Sequence, residues 1–128
     1  MRGAAAAQVG TAYLFCPEAN VAPLHRAALK SSRDDSTALT NLFTGRPARG
    51  IINRVMREVG PISADAPAFP TAGGALAPLK AAAEAKGSAD FGSLWSGQAA
   101  ALGREMPAAD LTRHLAREAL ARLKLLSG

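Results

Sequence analysis

The stretch AAAAQVGTAYLF, residues 4–15, decides the fold. A run of small residues meets Gly10-Thr11 and then turns apolar and aromatic. Ala4–Val9 reads as a short strand, or as a helix end leading into one. Periodicity does not separate the two, because alanine also suits helices. Gly10-Thr11 breaks the run, and Ala12–Cys16 reads as a single helical turn stopped near Pro17. A strand at this place lacks partners. It cannot satisfy its own backbone groups, and the rest of the chain reads as mostly helical.

The chain has 128 residues, the size of one domain. It is 48% hydrophobic but only 5% aromatic, so alanine and leucine must build its core. The 12 glycines and 8 prolines cut it into short pieces. The net charge of +5 raises the question of nucleic acid. The basic residues are interleaved with acids, and no aromatics alternate with the arginines, so solvated helix faces are the expectation and nucleic acid is not a partner. Cys16 is the single cysteine, which excludes an intrachain disulfide and fits a reducing, cytoplasmic compartment. The basic start lacks a long apolar core, so it does not read as a signal peptide. No run approaches ~18 apolar residues, so no membrane span is expected.

Pro23–Lys30 reads as a helix with proline in its first turn. Ser31–Ser36 is a polar loop, Thr37–Gly45 leans towards β structure, and Gly45–Gly50 reads as an irregular corner. Ile51–Val59 carries one apolar stripe and reads as a helix stopped by Gly60-Pro61. Pro61–Gly74 is a long loop that orders only by docking on something else. Three more helices are expected: Leu76–Lys86, Phe91–Glu105, and Pro107 to about Leu126. In the first, Pro78 is tolerable only in the opening turn. In the last, Leu111, Leu115 and Leu123 are expected to face a core shared with Leu94, Trp95, Leu102 and the Ile51–Val59 helix.

Gly10-Thr11 has the makings of a phosphate cradle, since glycine admits a ligand close to the backbone and N–H groups attract an anion. A plain turn has the same residues. His25 and His114 have no partners at metal-ligand spacing, and no cysteine–histidine cluster exists, so no metal site is expected. No nucleophile-elbow pattern accompanies the serines. Cys16 reads as a small buried filler. Arg46 and Arg49 either clamp an anion or cap carbonyls around a corner. Trp95 and Gln98, three apart on an expected helix, line either a core or a pocket wall.

Four stretches in order, AAAAQVGTAYLFCPEA, TALTNLFTGRPARGIINRVMRE, PAFPTAGGALAPL and DFGSLWSGQAAALGREMPAADLTR, resemble the C-terminal part of the nitronate monooxygenases. The resemblance covers nearly the whole chain. It implies an α/β fold class: the C-terminal end of an FMN-binding (β/α)8 TIM barrel plus a helical appendage, with this piece itself mostly α. It implies that residues 1–36 hold the last strand and helix of the barrel and residues 37–128 the appendage. On this reading Ala4–Val9 is the last barrel strand, and its neighbours are the barrel's other strands. Gln8, Val9, Gly10 and Thr11 match the family's segment at the FMN phosphate. The implied activity is oxidation of an alkyl nitronate by O2 to a carbonyl compound and nitrite. A barrel of this kind needs ~250 residues. The family's catalytic histidine comes from an upstream segment, and neither His25 nor His114 stands in the matching motif. No catalytic residue is therefore assigned, and the chain alone is expected to be inactive. Two other readings stand beside this one: an FMN-dependent enoyl-thioester reductase of the same superfamily, and a non-catalytic helical interaction module. The oligomeric state stays open.

Overall fold

The computed structural model describes residues 5–127. They fall into two units. One is Val21–Ala101; the other is Met1–Asn20 with Leu102–Gly128, described over residues 5–20 and 102–127.

The Val21–Ala101 unit opens with α1, Pro23–Ser31, entered through proline at its start as its sequence suggests. A hairpin follows. Strand β1, Thr37–Thr40, pairs antiparallel with β2, Ala48–Ile51, with Thr37 opposite Ile51 and Thr40 opposite Ala48. The expected corner at Gly45–Gly50 is thus half strand. The expected helix from Ile51 is correspondingly short: α2 runs only Arg54–Glu58. Ile51 belongs to the ladder, and the Ile52 N–H donates to the Ser36 carbonyl at 2.9 Å. Asn53 is the N-cap, its side chain accepting from the Met56 N–H. The stop is as read, with Gly60 at φ +88 just past the helix.

The core of this unit is Leu42, Phe43, Val55 and Met56, with Ile52, Leu76, Phe91 and Trp95 packed against it. The Trp95 ring meets Phe43 edge-on at 5.6 Å. The proline-rich loop is docked, as it had to be. Asn41 donates to the Ser63 carbonyl at 2.8 Å and accepts from the Ser63 N–H at 3.0 Å.

Two further helix expectations are corrected. The first is α3, Ala72–Glu84, which begins before Leu76 and so puts Pro78 in its interior. Proline there removes one donor and presses on the carbonyl of Gly74. Pro78 and Gly74 are both exposed, so water can take that carbonyl. Second, Phe91–Glu105 is not a helix. Gly50 and Trp95 form an antiparallel bridge instead. The Ile51 N–H donates to the Leu94 carbonyl at 2.8 Å, and the Ser96 N–H to the Arg49 carbonyl at 3.2 Å. Pairing with the open edge of β2 satisfies these backbone groups where a local helix would have done so. One turn of 3-10 helix, Ala100–Leu102, is all that remains.

Gly74 tests the reading of α3. A Cβ there would meet nothing within 4 Å. Gly74→Ala is expected to stabilise the chain by up to ~1 kcal/mol, the helix-propensity difference. A lowered midpoint in urea unfolding would show that α3 does not run through this position.

In the other unit, residues 6–10 carry no regular element. The strand expected over Ala4–Val9 is not formed, since a strand exists only by pairing and no described residue pairs with it. Ala4 itself lies outside the described residues. A 3-10 helix, Thr11–Phe15, follows where the single turn was expected. The unit ends in α4, Ala108–Ser127. Of its expected core positions Leu111 is buried and Leu115 half-buried, but Leu123 is exposed, and so is Leu102 at 80%. The shared leucine core is therefore corrected to Leu111 with Phe15 and Cys16 as this unit's buried apolar residues. Among the described residues no helix is long and apolar enough to cross a membrane.

Candidate functional site

Gln8, Val9 and Gly10 are exposed, and Thr11 is half-buried at the start of the 3-10 helix. Gly10 has φ −113 and ψ −59, ordinary for any residue, so backbone strain does not require glycine here. Its want of a side chain matters differently. A Cβ at Gly10 would meet nothing within 4 Å, which leaves open space against the backbone. The Gly10 carbonyl is held by the Tyr13 N–H at 3.0 Å.

The segment after Thr11 is tied down within its own unit. Tyr13 Oη and Thr112 Oγ1 are 2.8 Å apart, and Thr112 donates to the Ala108 carbonyl at 2.9 Å. With the threonine proton so used, Tyr13 is the donor of the first bond. The Glu18 carboxylate accepts from the Ala108 N–H with both oxygens, at 3.0 and 3.2 Å. It therefore caps the first turn of α4, where a negative charge is favourable. Phe15 is buried, and a Cβ on Gly103 would overlap its ring. The ties from Tyr13 and Glu18 leave no local mark in the sequence, because their partners lie 99 and 90 positions away.

The other singled-out residues do not converge on a site. Cys16 is 1% exposed, as a filler should be. His25 Nε2 lies 2.9 Å from the Trp95 carbonyl, a structural tie. His114 lies between Arg104 and Arg117, each 3.3 Å from a different ring nitrogen. Among the described residues no group of histidine, cysteine and acids could hold a metal. Arg46 and Arg49 diverge. The Arg46 guanidinium stacks 4.3 Å from the Phe69 ring centre, while Arg49 donates to the Thr37 carbonyl and hydroxyl at 3.3 and 3.2 Å. Trp95 packs in the core and Gln98 is exposed, on no common helix.

A hollow of about 430 Å³ opens between α2, α3 and the turn after α3. Its floor is Leu79, Ala82, Ala83 and Phe91, and its rim carries Arg54, Lys86 and Asp90. Arg54 is already engaged by Glu58 at 2.7 Å, whose hydrogen bond and charge raise the guanidinium further above its ordinary value. Ser88 also lines it, its hydroxyl oxygen accepting from the Asp90 N–H at 3.2 Å.

The family model for nitronate monooxygenase matches residues 1–118. A nitronate monooxygenase of Pseudomonas aeruginosa is 44% identical over 117 residues, which cover 91% of this chain and 33% of that protein. One of Paraburkholderia phytofirmans is 41% identical over 91% of this chain and 32% of its own length. Among solved structures, the nitroalkane oxidase of Streptomyces ansochromogenes is 42% identical with a TM-score of 0.77, over 93% of this chain and 34% of that one. FabK from Thermotoga maritima, 22% identical with a TM-score of 0.63 over 93% of this chain and 38% of that one, shares the fold. The chain thus spans about a third of the length of the curated relatives it matches.

Proposed function

The chain belongs to the nitronate monooxygenase family, and from that premise we propose that it is the C-terminal part of an FMN-dependent enzyme that oxidises alkyl nitronates with O2 to a carbonyl compound and nitrite. The observation that carries the reading is the match of the family model over residues 1–118. That match favours a nitronate over an enoyl thioester as substrate, and an enzyme over a bare interaction module. The fold class follows the family: the C-terminal end of a TIM-barrel flavoenzyme with a helical appendage, this piece being mostly α.

The residues present fit one side of a phosphate site. Gln8–Gly10 are exposed, and the space over Gly10 is empty of protein. Backbone N–H groups at a helix start attract an anion, and the Thr11 hydroxyl adds a donor. In this reading Gln8, Val9, Gly10 and Thr11 hold the FMN phosphate, with Gly10 and Thr11 nearest to it. The flavin supplies the electron transfer between nitronate and oxygen. The chain's own share is binding and orientation: it fixes one end of the cofactor, and the proton chemistry falls to residues outside it.

Gly10→Val tests this reading in the full-length protein. The valine has room in the chain itself, so the fold should stand. Against a phosphate it collides, and FMN affinity should fall at least ~10-fold, equivalent to ~1.4 kcal/mol. Flavin content unchanged after dialysis would remove Gly10 from the site.

A further inference from the structure

We propose that the first turn of α4 is a clamp that fixes where the Gly10–Thr11 backbone stands. Tyr13, Thr112 and Glu18 are then positioning residues for the flavin phosphate. The inference rests on the assignment of Gln8–Thr11 made above.

Residues 6–10 form no regular element, and the 3-10 helix after them is five residues long. So short a helix has no stability of its own. A continuous circuit of hydrogen bonds ties it down within its unit. The Gly10 carbonyl accepts from the Tyr13 N–H at 3.0 Å. The Tyr13 hydroxyl donates to Thr112 at 2.8 Å, and the Thr112 hydroxyl donates to the Ala108 carbonyl at 2.9 Å. The Ala108 N–H donates to Glu18 at 3.0 and 3.2 Å, which brings the circuit back to the segment that began at Gly10. Phe15, between the two ties, is buried beside Gly103. The segment is therefore gripped before and after its buried ring by one helical turn.

The grip matters to a ligand because a phosphate needs its donors in place before it arrives. A donor that wanders must be immobilised on binding, and that cost is taken from the affinity. The Tyr13–Thr112 bond is exposed. If it is lost, both hydroxyls find water, and little stability goes with it. An effect on FMN affinity larger than the effect on folding is thus the signature of positioning.

The test is the full-length flavoprotein with Tyr13→Phe, Thr112→Val, the double variant and Glu18→Gln. FMN dissociation constants are read by flavin fluorescence, and the bound phosphate by its 31P resonance. Tyr13→Phe and Thr112→Val should each weaken FMN about 3- to 10-fold and shift the resonance, the cost of immobilising the loosened donors on binding. The double variant should be no worse than either single, because both remove the same bond. Glu18→Gln keeps a carbonyl acceptor and should fall between wild type and these. Apoprotein melting should hardly move. Unchanged FMN affinity in Tyr13→Phe and Glu18→Gln, with Gly10→Val still releasing flavin, overturns the clamp and leaves the phosphate assignment standing. Retention of flavin by Gly10→Val as well overturns both. A loss of affinity matched by an equal loss of apoprotein stability makes α4 a structural support only, and also overturns the clamp. Should Thr112→Val fail to fold, Tyr13→Phe and Glu18→Gln decide the matter.

Discussion

Gly45→Ala should be among the most damaging single-methyl substitutions in the chain, costing ~2–5 kcal/mol. Two effects add. Gly45 has φ +85, a region that L side chains avoid at a cost of ~1–2 kcal/mol. A Cβ there would also sit 2.6 Å from the Pro67 carbonyl oxygen and 2.8 Å from the Ala68 carbonyl carbon, and would overlap the Phe69 nitrogen. All three are backbone atoms, so no rotamer relieves the contact, and overpacking of this kind adds ~1–3 kcal/mol. The loop must lift. That would separate Phe69 from the Arg46 guanidinium stacked on it. Urea unfolding followed by Trp95 fluorescence reads the effect, since Trp95 packs on Phe43 in the same unit. Gly74→Ala is the control of opposite sign. A Gly45→Ala midpoint within ~0.5 kcal/mol of wild type would mean that the loop does not dock here.

Local signals were legible where local physics governs. Proline at the start of α1, Gly60 beyond α2, and Asp110 and Lys124 at the two ends of α4 each stand where a helix needs them. The errors arose where a distant partner decides. Leu94, Trp95 and Leu102 have spacing that suits a helix, but the edge of β2 takes the backbone of Leu94 and Ser96. Ile51 and Ile52 continue an apolar stripe that either a strand or a helix can carry. Asn53 was the readable clue that the helix begins after them, since asparagine favours an N-cap. The candidate site is a harder case. Gly10-Thr11 by itself reads as a turn or a cradle, and only the resemblance singles out Gln8–Thr11. The ties that hold this segment to α4 join side chains about ninety positions apart, and no local pattern announces them.

The 128 residues alone should hold no FMN and release no nitrite from a nitronate. The exposed backbone around Gly10 offers two or three N–H donors to a phosphate. In water each exchanges one hydrogen bond for another, at a net ~0.5–1.5 kcal/mol, or up to ~3 kcal/mol when the acceptor is charged. Association costs ~4–15 kcal/mol in lost translation and rotation. A micromolar complex requires ~8 kcal/mol beyond that cost, and so few contacts cannot supply it. Burial of the flavin ring could, at ~25 cal/mol per Å² of apolar surface. That would require walls on both sides of the ring, which Gln8–Thr11 does not provide. Residues 6–10 also belong to no sheet or helix, and backbone left outside such elements invites association with other chains. Isothermal titration of the purified chain with FMN should therefore show no saturable heat at micromolar concentrations. Nitrite should not exceed the enzyme-free blank. Yellow protein with a micromolar dissociation constant would mean that copies of this chain assemble a complete site between them, and the division of labour between this chain and residues outside it would fall.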